Sequence, residues 1–134
     1  MTVKEFLKQY GDMQYEVRRI EAEIAELRER ALSIRSSGKI NDTVQGGGLN
    51  NSMKAVDVYI DKELNRLRKA KANALVKRQE VQSVIEAVED ARYRELLSHR
   101  YISLRTWEWI AETMHASRRH ITRWHGQALQ QVTL

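Results

Sequence analysis

The residues with the greatest capacity for chemistry are concentrated in the last third of the chain. Residues 92–134 contain seven arginines, all four histidines and all three tryptophans, but no lysine and only three glutamates. This segment carries a net charge of +4, against +5 for the whole chain of 134 residues. Clustered positive charge attracts polyanions, above all nucleic acids. A nucleic-acid-binding function is therefore the first hypothesis that the residue types support.

The histidines also raise the possibility of an enzyme or a metal site. His120 and His125 are five residues apart, about 140° around a helix, so they do not converge on one metal ion. Glu95 and His99 share a helix face, but no third ligand follows at a suitable spacing. The sequence has no cysteine, hence no thiol nucleophile and no cysteine-ligated zinc. We predict no catalytic site, no metal site and no cofactor.

The spacing of the apolar residues in the C-terminal segment predicts three short helices, and the last two have the form of a helix-turn-helix. Thr106 and Ser117 are good N-caps for the second and third helix. His115 stands at the turn between them, where a left-handed backbone usually selects glycine, and His tolerates that conformation. The residues predicted to form the core of the motif are Leu97, Trp107, Ile110, Ala111, Met114, Ile121, Trp124, Ala128 and Leu129.

The outer face of the third helix has the composition of a major-groove reader. Arginine pairs with guanine, glutamine pairs with adenine, and threonine contacts a thymine methyl group or a phosphate. Thr106 and Arg105, at the start of the second helix, are suited to clamp a phosphate. The predicted DNA-binding residues are Arg105, Thr106, Ser117, Arg118, Arg119, Thr122, Arg123 and Gln127. The alternative interpretation is a solvated charged face with no partner.

The first part of the chain predicts the elements that carry this motif. Ten apolar residues recur at steps of three and four from Val3 to Ile34, which is a heptad pattern and predicts one helix over about 2–36. The pattern resumes at Met53 and continues to Ala91, interrupted at Glu63 and Lys77, and predicts a second helix over about 51–90. The polar stretch between them, near 37–52, contains three consecutive glycines and is predicted to be a flexible loop.

Two long helices with one-sided apolar faces predict an antiparallel hairpin. Because the apolar faces are narrow, we expect the hairpin to associate with further copies of the chain, although a hairpin without a partner is the alternative. The predicted fold is all-α: a coiled-coil-like hairpin domain over 1–91 that forms a homo-oligomer, followed by a helix-turn-helix DNA-binding domain over 92–134. No segment approaches the roughly 20 apolar residues of a membrane span, so we expect a cytoplasmic protein with no membrane partner.

The C-terminal residues resemble a known DNA-binding motif. The segments Leu96-Leu97, 106–114, 117–121 and 125–129 resemble the region-four helix-turn-helix of sigma factors. The whole chain resembles phage and prophage regulators of the RinA and ArpU type, which activate late genes in bacteriophages of Gram-positive bacteria. The resemblance implies promoter DNA as a partner, and contact with RNA polymerase. Trp109 stands where the resemblance implies an acidic residue, and is expected either to contact a protein partner or to cover the neighbouring hairpin.

Two other functions remain open on the sequence. A small terminase subunit, the DNA-recognition component of phage packaging, also combines a helix-turn-helix with an oligomerising helical region. A helical scaffold or inhibitor that binds a host protein is the second alternative. Stoichiometry separates the first from a regulator, because a ring of eight or more subunits favours packaging. Absence of DNA binding at low salt would favour the second, because phosphate contacts alone give detectable affinity.

Overall fold

The fold is all-α, as predicted. A computed structural model describes residues 1–36 and 48–134, and over these residues it contains α-helices and no strand. The five α-helices are α1 (Val3–Ser36), α2 (Gly48–Glu86), α3 (Ala91–Leu97), α4 (Trp107–Thr113) and α5 (Arg118–Gln131), with one π-helical turn, Ser98–Ile102, between α3 and α4. None of the described helices has an apolar stretch of the length needed to cross a bilayer.

The bounds of the two long helices follow the apolar pattern closely. α1 begins one residue later than predicted and ends at the same residue. α2 begins at Gly48, so the last five residues of the predicted loop are helical; the rest of that loop, 37–47, lies outside the described residues. α2 ends at Glu86, and α3 begins at Ala91 behind the N-cap Asp90. Ala91, predicted on the apolar face of the second helix, is therefore exposed instead.

The chain separates into two compact units. We call Tyr15–Ala72 the hairpin unit, and Met1–Gln14 together with Asn73–Leu134 the terminal unit. These bounds differ from the predicted domains, 1–91 and 92–134. The reason is that both long helices contribute residues to the terminal unit, which is thus built from the two ends of the described chain.

The hairpin unit is held together along the predicted apolar faces of α1 and α2. Val17, Ile20 and Ile24 of α1 are buried, and so is Ile60 of α2. Two ion pairs join the helices beside this core, Arg66 with Glu16 at 3.2 Å and Lys71 with Glu21 at 3.6 Å. Both pairs are exposed, so burial of the apolar side chains supplies most of the stabilisation.

The terminal unit has a larger core, to which every helix contributes. Its buried side chains are Leu7, Val81, Ile85, Val88, Tyr93, Leu96, Leu97, Tyr101, Ile110, Ile121, Ala128 and Val132. Leu7 and Ile85 were not on the predicted heptad faces, yet they are 0% and 1% exposed. At this end of α1 and α2 the packing therefore involves a wider part of each helix than a two-helix contact requires.

A tight reversal connects α3 to α4. The backbone N–H of Ser103 donates to the Ser98 carbonyl, five residues back, and the N–H of Arg105 donates to the His99 carbonyl. Leu104 follows with φ of 57°, in the left-handed region that a leucine rarely occupies. Gly11 of α1 lies against it, since a Cβ on Gly11 would come within 3.2 Å of the Leu104 side chain. A side chain at position 11 would therefore require the Leu104 side chain to shift by a few tenths of an ångström.

Candidate nucleic-acid interface

The C-terminal segment folds into two capped helices joined by a short turn. The Thr106 hydroxyl accepts a hydrogen bond from the Trp109 N–H, and the Ser117 hydroxyl accepts one from the His120 N–H, both at 3.2 Å. His115, between the helices, has φ of 52°, as its predicted place in the turn requires. The caps and the turn were the sequence signals for this segment, and each occurs at the predicted residue.

The orientation of α5 is fixed by its apolar side. Ile121 and Ala128 are completely buried, and Trp124 and Leu129 pack against the same core. All nine residues predicted as the core of the motif belong to this cluster, either buried or packed against it. The opposite side of α5, which includes Arg119, Thr122 and Arg123, is exposed.

Arg118 and Gln127, two of the predicted DNA-binding residues, contact other elements of the terminal unit. The Arg118 guanidinium forms an exposed ion pair with the Glu108 carboxylate of α4. A backbone hydrogen bond at Glu108, followed by the charge of Arg118, lowers the pKa of this carboxyl below its usual value. Gln127 accepts a hydrogen bond from the Tyr93 hydroxyl of α3, at 2.6 Å. The Arg118 side chain therefore links α5 to α4, and the Gln127 side chain links α5 to α3.

Three hydroxyl groups of the predicted set are occupied by the backbone. Thr106 and Ser117 serve as caps, and Ser117 Oγ also lies 2.8 Å from His120 Nδ1. The Thr122 hydroxyl donates to the Arg118 carbonyl within α5, at 3.0 Å. A hydroxyl used in this way can still contact a phosphate. In this structure these hydroxyls stabilise the starts of α4 and α5 and bond to the backbone of α5.

Arg119 and Arg123 are left as the two unpaired cations of the α5 surface. Both are exposed, four residues apart on one helix face, and within the described residues neither forms an ion pair or a hydrogen bond through its side chain. Free guanidinium groups at this spacing are able to reach adjacent phosphates or base edges. Of the predicted residues on α5, these two arginines are therefore the ones with charged groups that have no intramolecular partner within the described part of the chain, and DNA contact by any of the eight stays a prediction.

Each of the three tryptophans carries an arginine over its ring. Arg92 lies over Trp124, Arg100 over Trp107 and Arg105 over Trp109, with 4.3 to 4.6 Å from the guanidinium carbon to the ring centroid. Stacking of this kind fixes the plane of a guanidinium without neutralising its charge. Of these arginines only Arg105 was among the predicted site residues. The positions of the other two depend on contacts between helices, and no local spacing indicates them.

Trp109 is half-buried and packs against the core of the terminal unit. In addition to Arg105, His99 contacts it edge-on, with 5.0 Å between the ring centroids. Its ring therefore has intramolecular contacts on more than one side. A contact between Trp109 and a protein partner stays a prediction.

His125 lies in an aromatic setting on the inner side of α5. Its Nε2 is 2.7 Å from the Tyr101 hydroxyl, and its ring stacks on Tyr101 and meets Trp107 edge-on. Burial, and then the positive charges of Lys4 and Arg100, lower the pKa of His125 to about 4. Burial likewise raises the pKa of the Tyr101 hydroxyl. His125 is therefore neutral at pH 7 and contributes to packing.

The described part of the chain offers no grouping of three or more His, Asp or Glu side chains that could hold a metal ion. Comparison with known proteins found no curated protein and no solved structure that matches the chain. A family model described as "Protein of unknown function (DUF1492)" matches residues 33–133, which is most of the chain and includes α2 to α5. The chain therefore belongs to the DUF1492 family.

Proposed function

We propose that this chain is a sequence-specific DNA-binding protein that places α5 in the major groove, and that it acts as a transcriptional regulator of a phage or prophage in the bacterial cytoplasm. The observation that carries the proposal is the face of α5. Arg119 and Arg123 are exposed on this face, and α5 itself contains no acidic residue. The start of the helix is capped and its other side packs into a core. The resemblance to late-gene activators of the RinA and ArpU type favours action at late promoters.

The size and charge of α5 support insertion into DNA. A helix of 14 residues extends for about 21 Å and fits the major groove in width. The first turns of a recognition helix make most base contacts, and Arg119 and Arg123 occupy the second and sixth positions of α5. The stacked arginines Arg92, Arg100 and Arg105 supply further positive charge in the same unit, for phosphates on either side.

The proposal is tested by binding to duplexes selected from a random pool by the full chain. Arg119→Ala and Arg123→Ala are each expected to weaken binding about tenfold or more, because each removes a base or phosphate contact. Arg68→Ala is the matched control, since Arg68 is an exposed arginine of the hairpin unit and should leave the affinity unchanged. The circular dichroism spectra of the wild type and the three variants should be the same, because none of the substitutions alters the core.

Three outcomes would overturn parts of the proposal. Equal affinity for the two α5 variants and the wild type would remove α5 as the DNA-contacting element. Absence of duplex binding even at low salt would leave a helical scaffold or inhibitor as the better function. A ring of eight or more subunits in light scattering would favour DNA packaging over regulation.

A further inference from the structure

The outer side of α1 in the hairpin unit has an apolar pattern of its own. Six residues recur there at heptad spacing, and they lie on a different side of the helix from the buried Val17, Ile20 and Ile24. We call them the outer face: Tyr15, Arg18, Ala22, Ala25, Glu29 and Leu32. All six are exposed, and the two large apolar residues at its ends are 73% and 64% exposed. Exposed heptad positions indicate a second helix-packing surface.

The outer face shows the same order of residue classes in both directions along α1, with the signs of its two charges exchanged. A large apolar side chain is followed by a charge, two alanines, the opposite charge and another large apolar side chain. If two copies of α1 lie antiparallel, with the symmetry axis between Ala22 and Ala25, Tyr15 meets Leu32 of the other copy and Arg18 meets Glu29. The two alanines meet each other at the centre, where small side chains let the helices approach closely. A surface that complements itself is what a two-fold dimer requires.

The charges that flank the outer face obey the same symmetry. In the antiparallel arrangement Arg19 comes opposite Glu26 of the second copy, and Glu21 comes opposite Arg28. Every charged residue of the face and its flanks therefore meets the opposite charge. A parallel arrangement in register would place Arg18 on Arg18 and Glu29 on Glu29, which is unfavourable at coiled-coil contacts. Arg18 and Glu29 have no ion-pair partner of their own among the described residues.

From this pattern we infer that the chain forms a two-fold dimer through the outer face, with the α1 helices of two copies antiparallel. The occupant of the surface is a second copy of the same chain, since the charges of the face and its flanks complement themselves in this arrangement. The outer face is thus the surface of the self-association that the hairpin pattern predicts. Only the role of the dimer rests on the proposed function: the dimer would bring two copies of α5 to a two-fold symmetric DNA site.

Charge reversal tests the arrangement without altering the buried core. Arg18→Glu creates two Glu–Glu contacts per dimer, and Glu29→Arg creates two Arg–Arg contacts. Each variant should raise the dimer dissociation constant about tenfold in sedimentation equilibrium of the full chain without DNA. The double variant Arg18→Glu/Glu29→Arg should dimerise like the wild type. A mixture of the two single variants should form a heterodimer, because each then supplies the charges that the other lacks.

The control is Lys62→Glu, an exposed charge reversal on α2 that leaves the outer face intact. It should not change the dissociation constant. A wild-type chain that stays monomeric up to near-millimolar concentration would overturn the inference. So would dissociation caused by Lys62→Glu but not by Arg18→Glu, or single variants that the mixture and the double variant fail to rescue. Binding of the same proteins to the selected duplex is measured separately. A wild-type chain that dimerises but does not bind DNA would contradict the proposed function and not the dimer.

Discussion

The helices α3 to α5 of the terminal unit leave no large apolar side chain exposed, whereas the two helices of the hairpin unit leave several in water. In the terminal unit Leu96, Leu97, Ile110 and Ile121 are completely buried. In the hairpin unit Tyr15, Leu32, Val58 and Tyr59 remain more than half exposed. Helices that cross one another on several sides complete a core within one chain, whereas two long helices side by side leave their outer faces in water. The difference is what the inferred dimer predicts, because a second copy would cover the outer face of the hairpin unit.

Truncation of one leucine or isoleucine in each unit should give the largest contrast. Ile110→Ala leaves a cavity in a fully buried site and should lower the free energy of unfolding by about 3 to 4 kcal/mol. Leu32→Ala removes an exposed side chain and should change it by less than about 0.5 kcal/mol in the monomer. Urea denaturation at low chain concentration measures both. A similar decrease in the free energy of unfolding for the two variants would contradict the difference in burial between the two units.

A pH effect should act on the terminal unit through His125. Its pKa of about 4 lies below the value near 6.5 of an unfolded chain, so the unfolded state binds the proton more readily. The stabilisation is complete above about pH 6.5 and is lost as the pH falls to about 4. Tryptophan emission follows this unit, since Trp107, Trp109 and Trp124 all lie in it. His125→Phe should flatten the dependence between pH 7 and pH 4.

The N-cap of α5 should contribute a smaller amount. Ser117→Ala removes the hydroxyl that accepts the His120 N–H and should cost about 1 kcal/mol in the free energy of unfolding. Ser117→Asp, which restores an acceptor, should recover most of it. Thermal denaturation followed by circular dichroism distinguishes the two. Equal melting temperatures for Ser117→Ala and wild type would mean that packing of Ile121 and Ala128 alone defines the start of α5.

The smallest effect concerns the exposed charges of the terminal unit and depends on the proposed function. Glu108→Gln removes the partner of Arg118 and one negative charge beside α5. Affinity for the selected duplex should rise a few-fold, because Arg118 becomes available to phosphate. Glu112→Gln, an exposed glutamate of the same helix, is the control for charge alone. An equal rise in both variants would attribute the effect to net charge rather than to Arg118.

Local patterns of the sequence predicted the elements of this fold well. The heptad spacing predicted α1 almost to the residue, and Thr106, Ser117 and His115 predicted both caps and the turn. Each of these signals depends on residues within a few positions of one another. The propensities and hydrogen bonds that define helix ends act over the same short range.

Contacts between distant parts of the chain were not predictable in the same way. Leu7 and Ile85 are buried because α3 to α5 cover that end of the long helices, which no heptad pattern reveals. The Arg118–Glu108 and Tyr93–Gln127 pairs join residues of different helices, and they give two side chains of the predicted DNA surface intramolecular partners. The side chain of the left-handed Leu104 lies against Gly11, 93 residues earlier in the chain, which no local pattern indicates.

The terminal unit has a consequence for how the protein is made on the ribosome. Leu7 is synthesised more than 100 residues before some partners of its core, such as Ile121 and Val132. At about 5 to 20 residues per second the interval is of the order of 10 s. During that time the apolar side of the first helical turns has no completed core to enter. The core of the terminal unit therefore closes only after α5 has been made, and the apolar side chains around Leu7 need shielding until then.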